Sequence, residues 1–378
     1  MHKPLDALDV KILQTLCEVG PRNLSKVART VGMSRKTLEF RIKRMKTNPQ
    51  VFLRMHTAIY HTNLGLRKAV VVTQAKPGME KLLFDCLKIN GFWLYVSRSY
   101  GMGEGCTAIY TVPIERCQEF EEFMQEFKHL GIAEEVNVNW STCFQGGRIT
   151  SEWFDGCKQN WVFRWDEWMG EIETQKTDLP YTLVESKSYP IYGDKTDVRM
   201  LMKLEADATT SLSEVAQVLA ISRQLAQFHY KKHLIGKNLI EGHEIFVMRY
   251  GDTPFVMALL TISFHDYDSF ARFAGSLLNK FFVITMGKTL GRNGLLVEVF
   301  LPTTEFRNFI DTLSMMARTG RVKDYKYAIQ DLRVRNRQTI SGEFFDGTSW
   351  IYEHEKQIET LREKAHSYSL KPESPHVQ

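Results

Sequence analysis

Apolar residues at helical spacing predict three short helices in the first fifty positions of the chain. The first runs from an acidic start at Asp6 to Gly20, the second covers Leu24–Val31, and the third begins after Ser34 and reaches about Lys46. Ser34 is a good N-cap, because its hydroxyl can accept a hydrogen bond from a free amide of the next turn. A helix, a turn and a capped basic helix form the helix-turn-helix arrangement, whose last helix lies in the major groove of DNA.

Strands and helices alternate after this segment. Strands are predicted at 69–74, 92–100, 105–112 and 135–140, and helices at 79–89 and 115–130. The order βαββαβ is that of a ferredoxin-like sheet. Between the two parts, residues 51–60 are predicted to form a β-hairpin wing with Arg54 and His56 near the DNA backbone.

The second half of the chain repeats the first. Residues 24–28, Leu-Ser-Lys-Val-Ala, recur at 212–216 as Leu-Ser-Glu-Val-Ala, an offset of 188. Residues 152–156, Glu-Trp-Phe-Asp-Gly, recur at 343–347 as Glu-Phe-Phe-Asp-Gly, and strands and helices again follow in the order βαββαβ. Ordered recurrence of this kind predicts a tandem duplication, with its junction within 180–193.

The predicted fold class is therefore α+β, with two winged helix-turn-helix domains and two ferredoxin-like βαββαβ domains. The predicted segments are a winged helix at 1–62, a βαββαβ domain at 63–145, an aromatic extension at 146–179, a linker at 180–193, a second winged helix at 194–250, a second βαββαβ domain at 251–335, a second aromatic extension at 336–366 and a disordered tail at 367–378. The extension aromatics could stack on bases or hold a protein partner, but packing against the sheets is favoured.

Charge is concentrated on the first of these domains. Residues 1–54 carry twelve Lys/Arg against four Asp/Glu, whereas residues 194–250 carry eight against seven. A small basic domain favours a polyanionic partner, although a solvated surface is the alternative. The first helix-turn-helix is therefore expected to dominate affinity for double-stranded DNA.

The residues expected to contact DNA lie on the two recognition helices and their caps. Long cationic side chains there can reach phosphates and guanine edges. The candidates are Ser34, Arg35, Lys36, Thr37, Arg41, Lys43, Arg44, Ser222, Arg223, Gln224, Gln227 and Lys231. Because the two helices differ in sequence, they are expected to recognise an asymmetric operator.

Several features argue against other classes of protein. There is no P-loop, no G-x-S-x-G and no evident metal-ligand cluster, so no catalytic residue, metal or resident cofactor is predicted and the chain is expected not to be an enzyme. His229 and His233 could form a metal pair, but no third ligand is apparent. Six scattered cysteines, no apolar run of about 18 residues and no signal-peptide core lead us to expect a cytoplasmic protein without membrane contact.

These motifs resemble the leucine-responsive/asparagine regulator family, Lrp/AsnC. The resemblance is carried by the following matches: Leu5-Asp6-x-x-Asp9-x-x-Ile12-Leu13, Val27-Ala28, Gly32-x-Ser34, Leu38-x-x-Arg41-Ile42 and Leu64-Gly65. It implies sequence-specific transcription regulation, dimerisation through the βαββαβ domains and, in some members, an amino-acid effector. A general chromatin-like DNA binder and an interaction scaffold with a degenerate second winged helix are the alternatives.

The resemblance also implies an effector site and an architecture. In the family, a glycine-acidic turn between the second and third strands helps to form the effector pocket, and Gly101, Gly103 and Glu104 match that turn. The second half has Gly291-Arg292-Asn293-Gly294, without the acid, which puts effector binding there in doubt. Relatives pair two chains through their sheets. Since this chain holds both sheets, it is expected to pair them within itself, and a further homodimer is left open.

Overall fold

The computed structural model describes residues 5–101 and 103–369. The described helices are α1 (Ala7–Val19), α2 (Leu24–Val31), α3 (Arg35–Thr47), α4 (Glu80–Cys86), α5 (Cys117–His129), α6 (Trp165–Thr174), α7 (Lys195–Ala206), α8 (Leu212–Leu219), α9 (Arg223–Phe228), α10 (Tyr267–Leu277), α11 (Thr303–Arg318) and α12 (His354–Ser369). The described strands are β1 (Arg54–Ile59), β2 (Leu66–Ala75), β3 (Trp93–Tyr100), β4 (Glu104–Pro113), β5 (Ala133–Ser141), β6 (Gln145–Gly146), β7 (Phe154–Asp155), β8 (Asn160–Trp161), β9 (Ile240–Phe246), β10 (Phe255–Ser263), β11 (Val283–Thr289), β12 (Gly294–Pro302) and β13 (Asp324–Arg337). The protein is thus of mixed α+β class, with a helical domain at the start and a large sheet.

Two three-helix domains are formed by α1–α3 and α7–α9. Each begins with a capping box, in which two aspartates exchange hydrogen bonds with each other's backbone amides. Buried apolar side chains from all three helices fill the first domain, among them Leu13, Val27 and Leu38. In the second domain, α9 continues directly into a π-helix at His229–Ile235.

The wing differs from the prediction. Residues 51–60 do not form a hairpin, because β1 pairs antiparallel with β9 of the second half, Met55 opposite Ile245. We call this two-stranded β1–β9 sheet the ribbon. Its register depends on two segments about 190 residues apart, so no local turn signal could reveal it. The ribbon ties the two three-helix domains to each other.

The two βαββαβ sheets join at their edges into a closed barrel. Around the barrel the strand order is β12-β10-β13-β3-β4-β2-β5-β11, and β11 pairs again with β12. The halves meet where β13 pairs with β3 and where Thr289 of β11 pairs with Ser141 of β5. Val70, Leu259 and Leu296 form a buried apolar cluster between the two sheets. Both inner sheet faces are therefore covered within one chain.

The aromatic extensions pack across the halves. Trp168 of the first extension donates its indole N–H to Ser276 Oγ on α10, at 3.0 Å. Trp350 of the second extension donates to the Leu64 carbonyl of the first half, at 2.7 Å. These aromatic side chains are thus structural. The predicted disordered tail begins inside α12, which reaches Ser369, and its remainder, 370–378, lies outside the described residues.

Candidate functional site

The first recognition helix, α3, exposes only part of its predicted DNA-binding set. Ser34 caps the helix by accepting from the Thr37 amide at 3.1 Å, and Arg35, Lys36, Thr37 and Lys43 are exposed. The exposed cations of this helix therefore lie near its start and at Lys43. Arg35 also forms an i,i+4 ion pair with Glu39, at 2.8 Å.

Arg41 and Arg44 belong instead to an ion-pair cluster inside the domain. Arg41 Nη1 lies 3.0 Å from both carboxylate oxygens of Asp6 and 2.8 Å from Asp9 Oδ1, and Arg44 contacts the buried Asp9 as well. Although burial opposes it, hydrogen bonding to Asp6 and Asp9 raises the pKa of Arg41. Their predicted contact with DNA would compete with these ion pairs.

The second recognition helix also exposes three cations, Arg223, Lys231 and Lys232. Ser222 accepts from the Leu225 amide at 3.1 Å, and the predicted contact residues Arg223, Gln224, Gln227 and Lys231 are exposed.

The two helical domains are fastened directly to each other. Arg22 Nη1 donates to the carbonyls of Ala208 and Thr210, at 3.2 and 2.7 Å, and Lys46 Nζ donates to Thr209 Oγ1 at 3.1 Å. The relative placement of the recognition helices is therefore set by these contacts together with the ribbon.

A cavity of about 370 Å³ lies between the ribbon and the barrel, and both halves line it. We call it the ribbon cavity. Its apolar walls include Phe52, Phe144, Phe246, Leu94 and Met257. Its basic side chains are Arg54, His56, His61, Lys68, Arg249, Arg335 and Arg337. Three carboxyl groups, Glu205, Glu244 and Glu298, also line it, and Glu244 pairs with Arg337 at 3.4 Å. A cavity with apolar walls and an excess of lysine and arginine suits a ligand that has flat apolar faces and several carboxylates.

His61 is the most unusual group in this cavity. It is buried, and neither ring nitrogen makes a hydrogen bond of ordinary length and angle within the described residues, although the backbone of Ile59 is close enough to oppose the fall in its pKa. Burial, followed by the nearby Lys68 charge, holds the pKa of His61 well below its usual value, so the imidazole is neutral. Unpartnered buried polar groups are rare in folded proteins, and a functional site is one of the settings in which they occur.

Two buried carboxyl groups line the same cavity. Glu298 Oε1 accepts from Gln330 Nε2 at 2.8 Å, and Glu205 Oε2 accepts from the Ile340 amide at 2.7 Å. Burial raises the pKa of each to about 7. Both protonation states are therefore populated near neutral pH, as proton transfer requires.

Sequence reasoning missed this cavity. Glu298 interrupts an apolar run in β12, and Lys68 stands at the start of another in β2, so each was a visible exception to its strand pattern. Neither exception shows which other strands contribute to the site.

A second cavity of about 260 Å³ lies at the junction of β3 with β13, and Gly101 and Gly103 line it. Glu104 does not line it and forms an ion pair with Arg98 instead. A Cβ on Gly101 would come within 2.8 Å of the Tyr327 carbonyl oxygen, so a side chain there would force the strands apart.

The comparison with protein families identifies one domain. The AsnC-type helix-turn-helix domain matches residues 5–46, which confirms the predicted helix-turn-helix at the start of the chain. No curated protein matches the sequence. Within the described residues, no helix is both long enough and apolar enough to cross a membrane.

Among solved structures, the whole chain is similar to the siroheme decarboxylase NirDL. The TM-score is 0.54 at 10% identity, with 95% of this chain and 98% of that chain covered. NirDL in co-complex with an iron-uroporphyrin III analogue gives a TM-score of 0.53, with the same identity and coverage. An AsnC family transcriptional regulator from Agrobacterium tumefaciens is similar over 36% of this chain and 89% of its own, with a TM-score of 0.29 at 17% identity.

These matches contradict the expectation that the chain is not an enzyme. The two matches that cover 95% of the chain are to structures of an enzyme. Motif searching could not find the ribbon cavity, since the side chains that line it come from segments far apart in sequence and form no local motif. At 10% identity, what the chain and NirDL share is the fold.

Proposed function

We propose that the chain is a decarboxylase that binds a tetrapyrrole-like polycarboxylate in the ribbon cavity. The observation that carries this proposal is the buried, unpartnered His61 in a cavity rich in cations and lined by both halves. The likeness of the whole chain to a siroheme decarboxylase supports the choice of substrate class.

Binding follows from the composition of the cavity. Arginine pairs with carboxylates through two parallel hydrogen bonds, and Arg54 and Arg335 can hold the carboxylates at the rim of a macrocycle. Aromatic walls such as Phe52 and Phe246 cover its flat faces. Lys68 lies 4.2 Å from the centre of the Phe144 ring, which places a cation beside an apolar wall.

The reaction needs a proton and no oxidant. The bond between a side-chain carbon and its carboxylate breaks, CO₂ leaves, and the electron pair stays on the carbon until a proton is delivered to it. Neutral Glu298 or Glu205 can donate that proton, because the pKa of each lies near 7. Neutral His61 can pass a proton between such an acid and the substrate carbon.

The direct test is to incubate the purified chain anaerobically with siroheme and to analyse the product by mass spectrometry. We expect loss of the mass of CO₂ from wild type and at least about a hundredfold slower turnover in His61→Phe, the lower end of what general acid–base groups contribute. His265→Ala, at an exposed histidine, should retain wild-type turnover. Intact siroheme after incubation with a wild-type chain that binds it would refute the decarboxylase.

DNA binding is a second candidate, favoured by the AsnC-type match and by the open cationic face of α3. In this proposal the chain is a sequence-specific regulator of the Lrp/AsnC type, and Arg35, Lys36 and Lys43 contact DNA. The recurrence at 188 residues and the repeated element order support a tandem duplication, which would give two unlike recognition helices and an asymmetric operator. Genomic selection followed by footprinting tests it, and binding that shows no protected site would refute sequence-specific regulation.

A further inference from the structure

Four metal-ligating side chains converge in the second three-helix domain. Asp194 and Asp197 come from the start of α7, and His229 and His233 from the π-helix. The His229 Nδ1 atom lies 2.7 Å from Asp197 Oδ1 and 3.7 Å from Asp194 Oδ2. The His233 Nδ1 atom lies 3.2 Å from Asp197 Oδ1 and 3.6 Å from Asp194 Oδ2. Two nitrogens and two oxygens thus share one small space.

These separations match those around a single small ion. Zinc binds nitrogen and carboxylate oxygen at about 2.0–2.2 Å, so neighbouring ligand atoms of a tetrahedral site lie roughly 3.3–3.5 Å apart. The four distances between histidine Nδ1 atoms and aspartate oxygens given above, from 2.7 to 3.7 Å, bracket that value. Small side-chain shifts would bring all four atoms into the zinc-binding range.

The carboxylates are oriented before any ligand binds. The capping box of α7 uses Asp194 Oδ1 and Asp197 Oδ2 to accept backbone amides, each at 2.9 Å. The remaining oxygens, Asp194 Oδ2 and Asp197 Oδ1, both lie near His229 Nδ1, and the capping oxygen Asp197 Oδ2 also lies 2.9 Å from His233 Nδ1. The helix cap therefore fixes half of the ligand set.

The first half of the chain places a cation at the matching position. At an offset of 188 residues, the counterparts are Asp6, Asp9, Arg41 and Met45. There, the Arg41 guanidinium lies 2.8–3.0 Å from both aspartates. In the second cluster, neither carboxylate forms an ion pair with a lysine or arginine among the described residues. Where the first half has an arginine, the second half has a histidine, whose ring nitrogen can bind a metal ion.

Burial and access are both suitable for a bound ion. The Asp197 side chain is fully buried and that of His229 nearly so, whereas the Asp194 side chain is about half-exposed. A charge held here is shielded from water, and Asp194 lies on the side from which an ion can enter. A π-helix is rare, and such segments are frequent at functional sites.

We propose that Asp194, Asp197, His229 and His233 form a zinc site. The mixed donor set favours Zn²⁺ over Mg²⁺ or Ca²⁺, which prefer oxygen ligands alone. Four protein ligands leave no open position for catalysis, so the site is structural. It fastens the start of α7 to the recognition helix and fixes the orientation of that helix.

The test uses the full chain, stripped with chelator and titrated with Zn²⁺ against a chromophoric competitor. We expect one Zn²⁺ per chain at this site, and a tetrahedral Co²⁺ absorption spectrum when cobalt replaces zinc. His229→Arg and His233→Met copy the first half at the two positions. Each should lower zinc affinity by more than about a hundredfold, since loss of an outer partner alone costs 10–100-fold.

The variants separate loss of metal from loss of fold. His229→Arg supplies its own guanidinium, as Arg41 does, so it should remain folded by circular dichroism while losing zinc. His265→Ala, at an exposed histidine, should bind zinc like wild type. Failure of the wild-type chain to bind Zn²⁺, or unchanged affinity in both His229→Arg and His233→Met, would overturn the site.

Discussion

The indole of Trp161 stacks on the ring of Phe281, with centroids 4.0 Å apart and planes inclined by 12°. Trp161 belongs to the extension of the first half, and Phe281 precedes β11 of the second-half sheet. Because Trp350 reaches back to Leu64 in the same manner, the halves exchange extensions. The core of each half is therefore completed by the other, and neither half is expected to be stable alone.

Removing this stack should weaken the whole chain. Trp161→Ala is expected to lower the free energy of unfolding by about 3–5 kcal/mol, as truncation of a buried aromatic side chain does. The neighbouring Val162 is exposed, so Val162→Ala should cost less than about 0.5 kcal/mol. Chemical denaturation followed by tryptophan fluorescence and circular dichroism measures both. Similar losses in the two variants would show that the stack is not a stabilising contact.

The buried, neutral His61 is expected to lower the free energy of unfolding, because its ring nitrogens lack hydrogen-bond partners. Replacement by Leu removes two buried nitrogens that have no partner, a defect that costs about 1–3 kcal/mol per unsatisfied group. His61→Leu is therefore expected to raise the melting temperature while weakening binding of an iron-uroporphyrin, followed by its visible absorption. A variant that melts earlier and binds the porphyrin normally would indicate a packing role only.

The buried Glu298 makes stability depend on pH in a defined direction. Burial raises its pKa from 4.5 to about 7, so the folded chain holds this proton more tightly than the unfolded chain does. The stability associated with this proton is complete below about pH 4.5 and is lost as pH rises through about 7. Glu298→Gln keeps an oxygen to accept from Gln330. Its advantage in melting temperature over wild type should grow from pH 5 to pH 8.

An exposed glutamate serves as the control for that measurement. Glu359→Gln on α12 should track wild type across the same range of pH, because its side chain stays in water in both states. A constant offset between Glu298→Gln and wild type from pH 5 to 8 would mean that Glu298 titrates as an ordinary carboxyl group.

Local features of the fold were predictable from the sequence, whereas contacts between segments far apart in the chain were not. The start of α3 follows from the Ser34 cap, and its predicted end at about Lys46 falls within one residue of the observed Thr47. The ribbon and the barrel closure depend on pairs such as Met55 with Ile245, which no local pattern encodes. The proposed third metal ligand was missed for a similar reason, since Asp197 precedes His229 by 32 residues and no sequence motif joins them.

DNA binding, if it resides on α3, should depend on its exposed lysines and not on Arg41. Lys36→Ala with Lys43→Ala should weaken binding in gel-shift assays and reduce the slope of log affinity against log salt by about 2, one for each lost phosphate contact. Arg223→Ala with Lys231→Ala, which removes two exposed cations from the second recognition helix, should have a smaller effect. Arg41→Ala should instead lower the melting temperature, because it leaves the buried Asp9 with one cation fewer. Equal losses in the two pairs would contradict the dominance of α3.

The second cavity is suited to a small zwitterion. Arg292 and Lys326 lie on its wall together with the acidic Glu135 and Asp324, so a carboxylate and an ammonium group can both be paired there. An amino acid that binds should stabilise the chain by about 2.7 kcal/mol at a hundred times its Kd, which a thermal-shift screen detects.

Arg292→Gln should abolish this thermal shift. Glu104→Gln should leave it unchanged, because Glu104 pairs with Arg98 outside the cavity lining. Loss of the shift in Glu104→Gln alone would place the effector at the turn itself, as the family resemblance implies, and not in the cavity beside it.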